Sequence, residues 1–168
     1  LNQDKKMDSK EFLQIANSNN YNISRISYFS AGKWDGGTVY DSKTKETKGM
    51  SFDLTLGKGY LIVAEQNCTV SIPAYNIESS IPIAFSSGWN LVGVHGYDTQ
   101  YTAKSLINSI NSIEGLKANN VTYWPTSKSM YQGFQLSGGR EYGQDFSISP
   151  DLGYFVRINE YTVKDETC

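Results

Sequence analysis

The chain has 168 residues, of which 13% are aromatic and 19% charged, with a formal net charge of −2. Its basic residues are scattered among acidic ones, so nucleic acid is not an expected partner. No run of about 18 apolar residues occurs, so direct membrane insertion is not expected, and so aromatic-rich a composition is not that of a disordered chain. Twelve Tyr, three Trp and fifteen Gly point to a β-rich protein with many tight turns.

In chain order, the first predicted element is a short helix. Asp8 is placed to cap it, Glu11 lies three positions on, and Phe12, Leu13, Ile15 and Ala16 form an apolar stripe. The Asn-rich stretch from Asn17 to Asn22 ends it. A strand through Ile26, Tyr28 and Phe29 follows, then a Gly-rich hairpin carrying Trp34, Asp35, Gly36 and Gly37 ahead of Val39 and Tyr40. Phe52, Leu54 and Leu56 alternate with polar residues, the period of a half-buried strand. Tyr60 to Ala64 is apolar on both faces, which predicts a strand central in its sheet. Val70 with Ile72 reads as one further strand. Next, Ile81, Ile83 and Phe85, a Ser-Ser-Gly turn and Gly88 to Val94 read as a hairpin.

The same order then returns. Thr102 caps a second helix with Leu106, Ile107, Ile110 and Ile113 at helical spacing, ended near Glu114-Gly115. Val121, Tyr123 and Trp124 repeat Ile26, Tyr28 and Phe29. Gly143-Gln144-Asp145-Phe146-Ser147-Ile148 and Gly153-Tyr154-Phe155-Val156 repeat Gly49-Met50-Ser51-Phe52-Asp53-Leu54 and Gly59-Tyr60-Leu61-Ile62, 94 residues earlier and without a gap. Tyr161 with Val163 would close the second copy.

This recurrence predicts an α+β, β-rich fold of two tandem similar modules, each an antiparallel sheet with one short helix; an all-β sandwich is the alternative. The expected division is 1–75 for the first module, lacking its opening strand pair, and 76–168 for the second. The chain opens on Leu1 rather than Met, so it is expected to be part of a longer polypeptide.

Gly88-Trp89-Asn90-Leu91-Val92, the helix and the closing Gly153-Tyr154-Phe155-Val156 resemble a repeat module of large bacterial secreted and cell-surface proteins, over roughly Ile81 to Val163. The first copy matches only the later part. The resemblance implies an extracellular or cell-surface β-rich building block and brings no catalytic residues.

Chemistry-bearing residues are few. His95 is the only histidine and lies in no Gly-x-Ser-x-Gly setting. The two cysteines, Cys68 and Cys168, form no CxxC and have no histidine at ligand spacing, so no metal and no cofactor is expected. They would pair in an oxidising compartment; otherwise Cys68 is a small buried side chain and Cys168 a terminal thiol. Asp35, Asp41 and Asp53, and Glu141, Asp145 and Asp151, include the carboxylates a hydrolase would need, yet Asp53 aligns with Ser147.

The aromatic residues near the hairpins offer more. Sugars stack their CH faces on aromatic rings, and Trp34, Asp35, Tyr40, Tyr131 and Tyr142 are the ligand-binding candidates. The expected function is a non-enzymatic extracellular module serving adhesion, display or spacing, with a glycan or surface protein as partner. The alternatives are a carbohydrate-binding module and a carboxylate-based hydrolase.

Overall fold

A computed structural model describes residues 7–70, 81–94, 101–128 and 130–161. The elements in order are α1 (Ser9–Ser18), β1 (Ile23–Ser30), β2 (Lys33–Asp41), β3 (Glu46–Gly49), β4 (Tyr60–Ala64), β5 (Gly88–Gly93), α2 (Ala103–Asn111), β6 (Leu116–Tyr123), β7 (Gln132–Ser137), β8 (Arg140–Gly143) and β9 (Gly153–Tyr161). Two antiparallel sheets result, ordered β3-β2-β1-β4 and β5-β9-β6-β7-β8. Each carries one helix on its inner face. The architecture is the α+β, β-rich arrangement expected from the sequence.

The helices start where the caps predict. The Asp8 carboxylate accepts from the Lys10 and Glu11 amides at 2.8 and 2.9 Å, and those bonds hold its pKa below the ordinary value. Thr102 and Ser105 satisfy each other's backbone amides in a capping box. At the other end of each helix, an asparagine ties the following strand down. Asn111 donates to the Ala118 carbonyl at 3.0 Å and accepts from its amide at 2.6 Å. Asn17 does the same to Ile23, at 2.8 and 3.0 Å.

Two separate cores form. Phe12, Leu13, Ala16, Ile23 and Ile26 fill the first. The second holds Leu106, Ile107, Ile110, Val121, Phe134, Tyr154, Val156 and Ile158, with Val92 added from β5 and Val94 from just beyond it. Corresponding contacts recur in the two. Tyr60 stacks on Phe52 at 5.9 Å and 12°, and Tyr154 on Phe146 at 6.2 Å and 14°. Each phenol oxygen accepts a backbone amide at 2.7 Å, from Thr55 and Ser149 respectively. Burial raises both phenol pKa values.

The sequence reading needs four corrections. Residues 81–86 form no strand, although Ile83 and Phe85 pack on the second core; β5 pairs with β9 instead of closing a hairpin. The Phe52–Leu54 and Phe146–Ile148 segments are not strands but single bridges, Asp53 to Asp8 and Ser147 to Thr102. Val70 lies outside any strand. Most consequentially, β4 stands at a sheet edge rather than centrally. Ile72, His95, Val163, Cys168 and the expected boundary near 75 lie outside the described residues.

Gly49 and Gly143 show why glycine opens the recurring motif. Both have positive φ, +93° and +82°, and a Cβ at either would collide with the carbonyl oxygen of Gly37 or Gly133 on the adjacent strand. Gly143→Ala is therefore expected to cost about 2 kcal/mol or more. Gly138→Ala, at φ +56° in an open turn, should lose only the strain, about 1 kcal/mol. Urea denaturation with an unchanged m-value checks both.

Candidate functional site: an aromatic strip joining the two sheets

The outer faces of the two sheets are connected by aromatic rings. Trp34 enters from the tight β1–β2 turn, where Ala31 and Gly32 have positive φ; its cross-strand partner is Phe29, with centroids 5.3 Å apart. Phe155 of β9 meets Phe29 at 5.3 Å and Trp34 at 6.1 Å. On its other side lies Tyr131, at 5.9 Å, which in turn meets Trp124 at 4.9 Å. Interplanar angles along the strip run from 79° to 89°. The rings thus pack edge to face, with the positive rim of one against the negative face of the next, an arrangement worth about 0.5–1.5 kcal/mol per pair beyond burial.

The backbone reinforces this seam. Gly59 donates its amide to the Leu91 carbonyl at 3.2 Å, and Gly93 donates to the Gly57 carbonyl at 3.0 Å. A Cβ on Gly59 would sit 2.8 Å from Leu91 Cγ, so glycine permits the approach. Beside this bridge is a cleft of about 290 Å³ whose lining includes Ser30, Thr55, Lys58, Ile83, Trp89 and Asn90. Its described lining contains no carboxylate and no histidine.

The proposed ligand residues separate into two groups. Trp34 and Tyr131 share the strip and remain 45% and 52% exposed. Asp35 lies next to it, 4.0 Å from Lys33 Nζ, and accepts from the Tyr28 hydroxyl at 3.4 Å. Partial burial and then that carboxylate raise the Tyr28 pKa. Tyr40 instead packs against the first core, on the opposite face of its sheet. Tyr142 stands exposed on β8 opposite Gln135. Trp124, just past the end of β6, is 46% exposed and ends the strip. Phe29 and Phe155 complete it. The available signal for Phe155 was a strand apolar on both faces, which requires a second packing partner besides the core.

Several of the described carboxylates serve local structure. Asp41 caps the β2–β3 turn through the Lys43 and Thr44 amides and pairs with Lys48 at 2.8 Å. Asp145 accepts from the Lys104 amide at the start of α2, and Glu141 pairs with Lys104 Nζ. Among the described residues no group of three or more His, Cys, Asp or Glu could hold a metal ion. Cys68 is exposed, not buried as the reduced alternative expected, and has no disulfide partner among the described residues. No helix among the described residues is long and apolar enough to cross a membrane. Comparison with family models, with curated proteins and with solved structures finds no match.

Two predictions follow from this geometry. Phe155→Ala removes the central ring of the strip and leaves the Gly57–Gly59 bridge to β5 in place, and should cost about 2 kcal/mol, less than the 3–5 typical of a fully buried Phe. It should also split a single thermal transition into two, seen by calorimetry. The hydrogen bond from Lys48 and the two turn amides lower the Asp41 pKa from 3.8 to about 2. A depressed carboxyl pKa stabilises the fold above its ordinary value, and that contribution is lost as pH falls through about 2. The β2–β3 turn amides should therefore shift between pH 4 and 2 in NMR spectra, and Asp41→Asn should abolish the transition.

Proposed function

We propose that the chain consists of two copies of one module and serves as a non-enzymatic part of a larger bacterial secreted or cell-surface protein, in an adhesive, display or spacing role. The observation that carries this reading is the aromatic and backbone seam between the sheets. A spacer must hold its units in fixed relation, and edge-to-face rings together with a β-bridge do so without a flexible joint. The matched tyrosine–amide bonds, asparagine clamps and paired glycines support common descent of the halves. The engagement of Asp8, Asp41 and Asp145 in caps and turns supports the non-enzymatic character.

Protease shaving of intact cells that make the protein should release its peptides. Recovery only from the cytosolic fraction would overturn the surface role.

A second reading, a carbohydrate-binding module, is favoured by one observation: Trp34, Trp124 and Tyr131 stay about half exposed within a single strip. Against it, neighbouring rings stand nearly perpendicular, whereas a sugar-stacking platform presents flat faces side by side. On a glycan array the spacer reading expects no saturable binding. Saturable binding that disappears in Trp34→Ala and Trp124→Ala would move the assignment to the second reading.

A further inference from the structure

The edge of β4 differs from the other outer strands of the two sheets, of which β5 has the Gly57–Gly59 turn bonded to its outer side. Natural sheets protect exposed edges with short, charged strands, and β3 and β8 conform: each has four residues, Glu-Thr-Lys-Gly and Arg-Glu-Tyr-Gly. β4 reads Tyr-Leu-Ile-Val-Ala. Its Leu61, Ile62 and Val63 are 44%, 42% and 39% exposed, and it pairs with β1 alone.

The corresponding strand shows what is missing. From Tyr154, β9 aligns with β4 position by position, but it is flanked on both sides, by β6 and by β5. Val156, the counterpart of Ile62, is fully buried. Across from it and from Tyr154 run Asn90 and Val92 of β5, and Val92 and Val94 extend the core over the end of the sheet. The amide of Glu65 donates to the Asn22 carbonyl, and the Val63 carbonyl accepts from Ser24 Oγ, both toward β1. By strand alternation the Tyr60 and Ile62 peptide groups point to the open side.

We propose that the open edge of β4 accepts an antiparallel strand of the β5 type, in which glycine precedes alternating aromatic, polar and aliphatic residues, supplied by another unit of the same kind. Main-chain hydrogen bonds along the edge give affinity, and the aliphatic side chain opposite Tyr60 covers Ile62. The proposal rests on the equivalence of the two halves and not on the surface role, so a cytosolic location would leave it standing.

The test uses the 168-residue chain and a fluorescent peptide with the sequence of residues 86–94, Ser-Ser-Gly-Trp-Asn-Leu-Val-Gly-Val. Saturable binding is expected, with amide exchange at Ile62 slowed about tenfold or more in the complex. Ile62→Lys, at an already exposed site, should weaken binding about tenfold or more. Val39→Lys, exposed on β2, should leave it unchanged. Absence of saturable binding, or equal binding of a scrambled peptide, would overturn the proposal. So would protection of the Ile62 amide in the free chain, which would mean that the chain covers its own edge. Self-association abolished by Ile62→Lys, without peptide binding, would mean that β4 edges pair with each other rather than with a strand of the β5 type, and would equally overturn it.

Discussion

A strand has two edges, and the organisation of this molecule turns on how β5 uses both of its own. One edge pairs with β9 across six residues. The other takes the Gly57–Gly59 turn of the N-terminal half through Gly59–Leu91 and Gly93–Gly57 hydrogen bonds. The first pairing places Val92 in the second core, which Val94, just beyond the strand, also joins. The second brings the first sheet close enough for Phe29 and Trp34 to reach Phe155. The seam, the adjoining cleft and the exposure of β4 all descend from this allocation. With β5 committed to β9, no described strand remains to cover Ile62.

Elsewhere the two halves reach similar shapes by different chemistry. Ser9 and Thr38 are fully buried in the first, with hydroxyl oxygens 2.6 Å apart. Thr38 donates on to the Met50 carbonyl at 2.6 Å. The positions in the same register of the second half hold Ala103 and Phe134, both buried and apolar. Removing one member of a buried polar pair strands the other and costs about 1–3 kcal/mol, whereas replacing both by groups that fill the space is close to neutral. The difference between the halves is of the second kind. It also accounts for the larger continuous core in the second half, where Phe134 occupies the slot of a small hydroxyl residue.

Much of the fold was legible because it depends on local rules. The caps at Asp8 and Thr102 follow from the need of the first helical amides for acceptors. The glycines at 49 and 143 follow from positive φ and a carbonyl in contact. What was misread depends on neighbours distant in sequence. Ile81, Ile83 and Phe85 alternate as a strand would, but alternation reports which side chains are buried, not whether the backbone is paired. Tyr60 to Ala64 is even more apolar than Tyr154 to Ile158, which includes Arg157, so composition places both centrally. The strand that covers one and not the other lies outside either motif. The aromatic strip was half visible for the same reason: Trp34 and Tyr131 stand out beside glycine-rich turns, whereas Phe29 and Phe155 look like ordinary strand residues until the sheets are brought together.

The geometry of β9 also specifies what an edge like that of β4 can discriminate. Main-chain pairing is indifferent to side chains, so affinity along an edge carries little sequence information by itself. Selection comes from the alternate positions. Against β9, the inward residue opposite Tyr154 is Val92, nearly fully buried. Its outward neighbour Leu91 lies opposite Phe155 and reaches Gly59 so closely that only glycine fits there. The Asn90 amide bonds the Ser86 and Gly88 carbonyls and fixes the turn that launches the strand. A strand entering the β4 edge meets Tyr60 and Ile62 on the inward side and Leu61 and Val63 on the outward side. The positions opposite Tyr60, Leu61 and Val63 therefore favour apolar residues, the one opposite Ile62 admits an asparagine whose amide bonds its own turn, and a charged residue on either face would be desolvated without a partner. The apolar character that makes this edge a hazard when open is also what restricts its partner once closed.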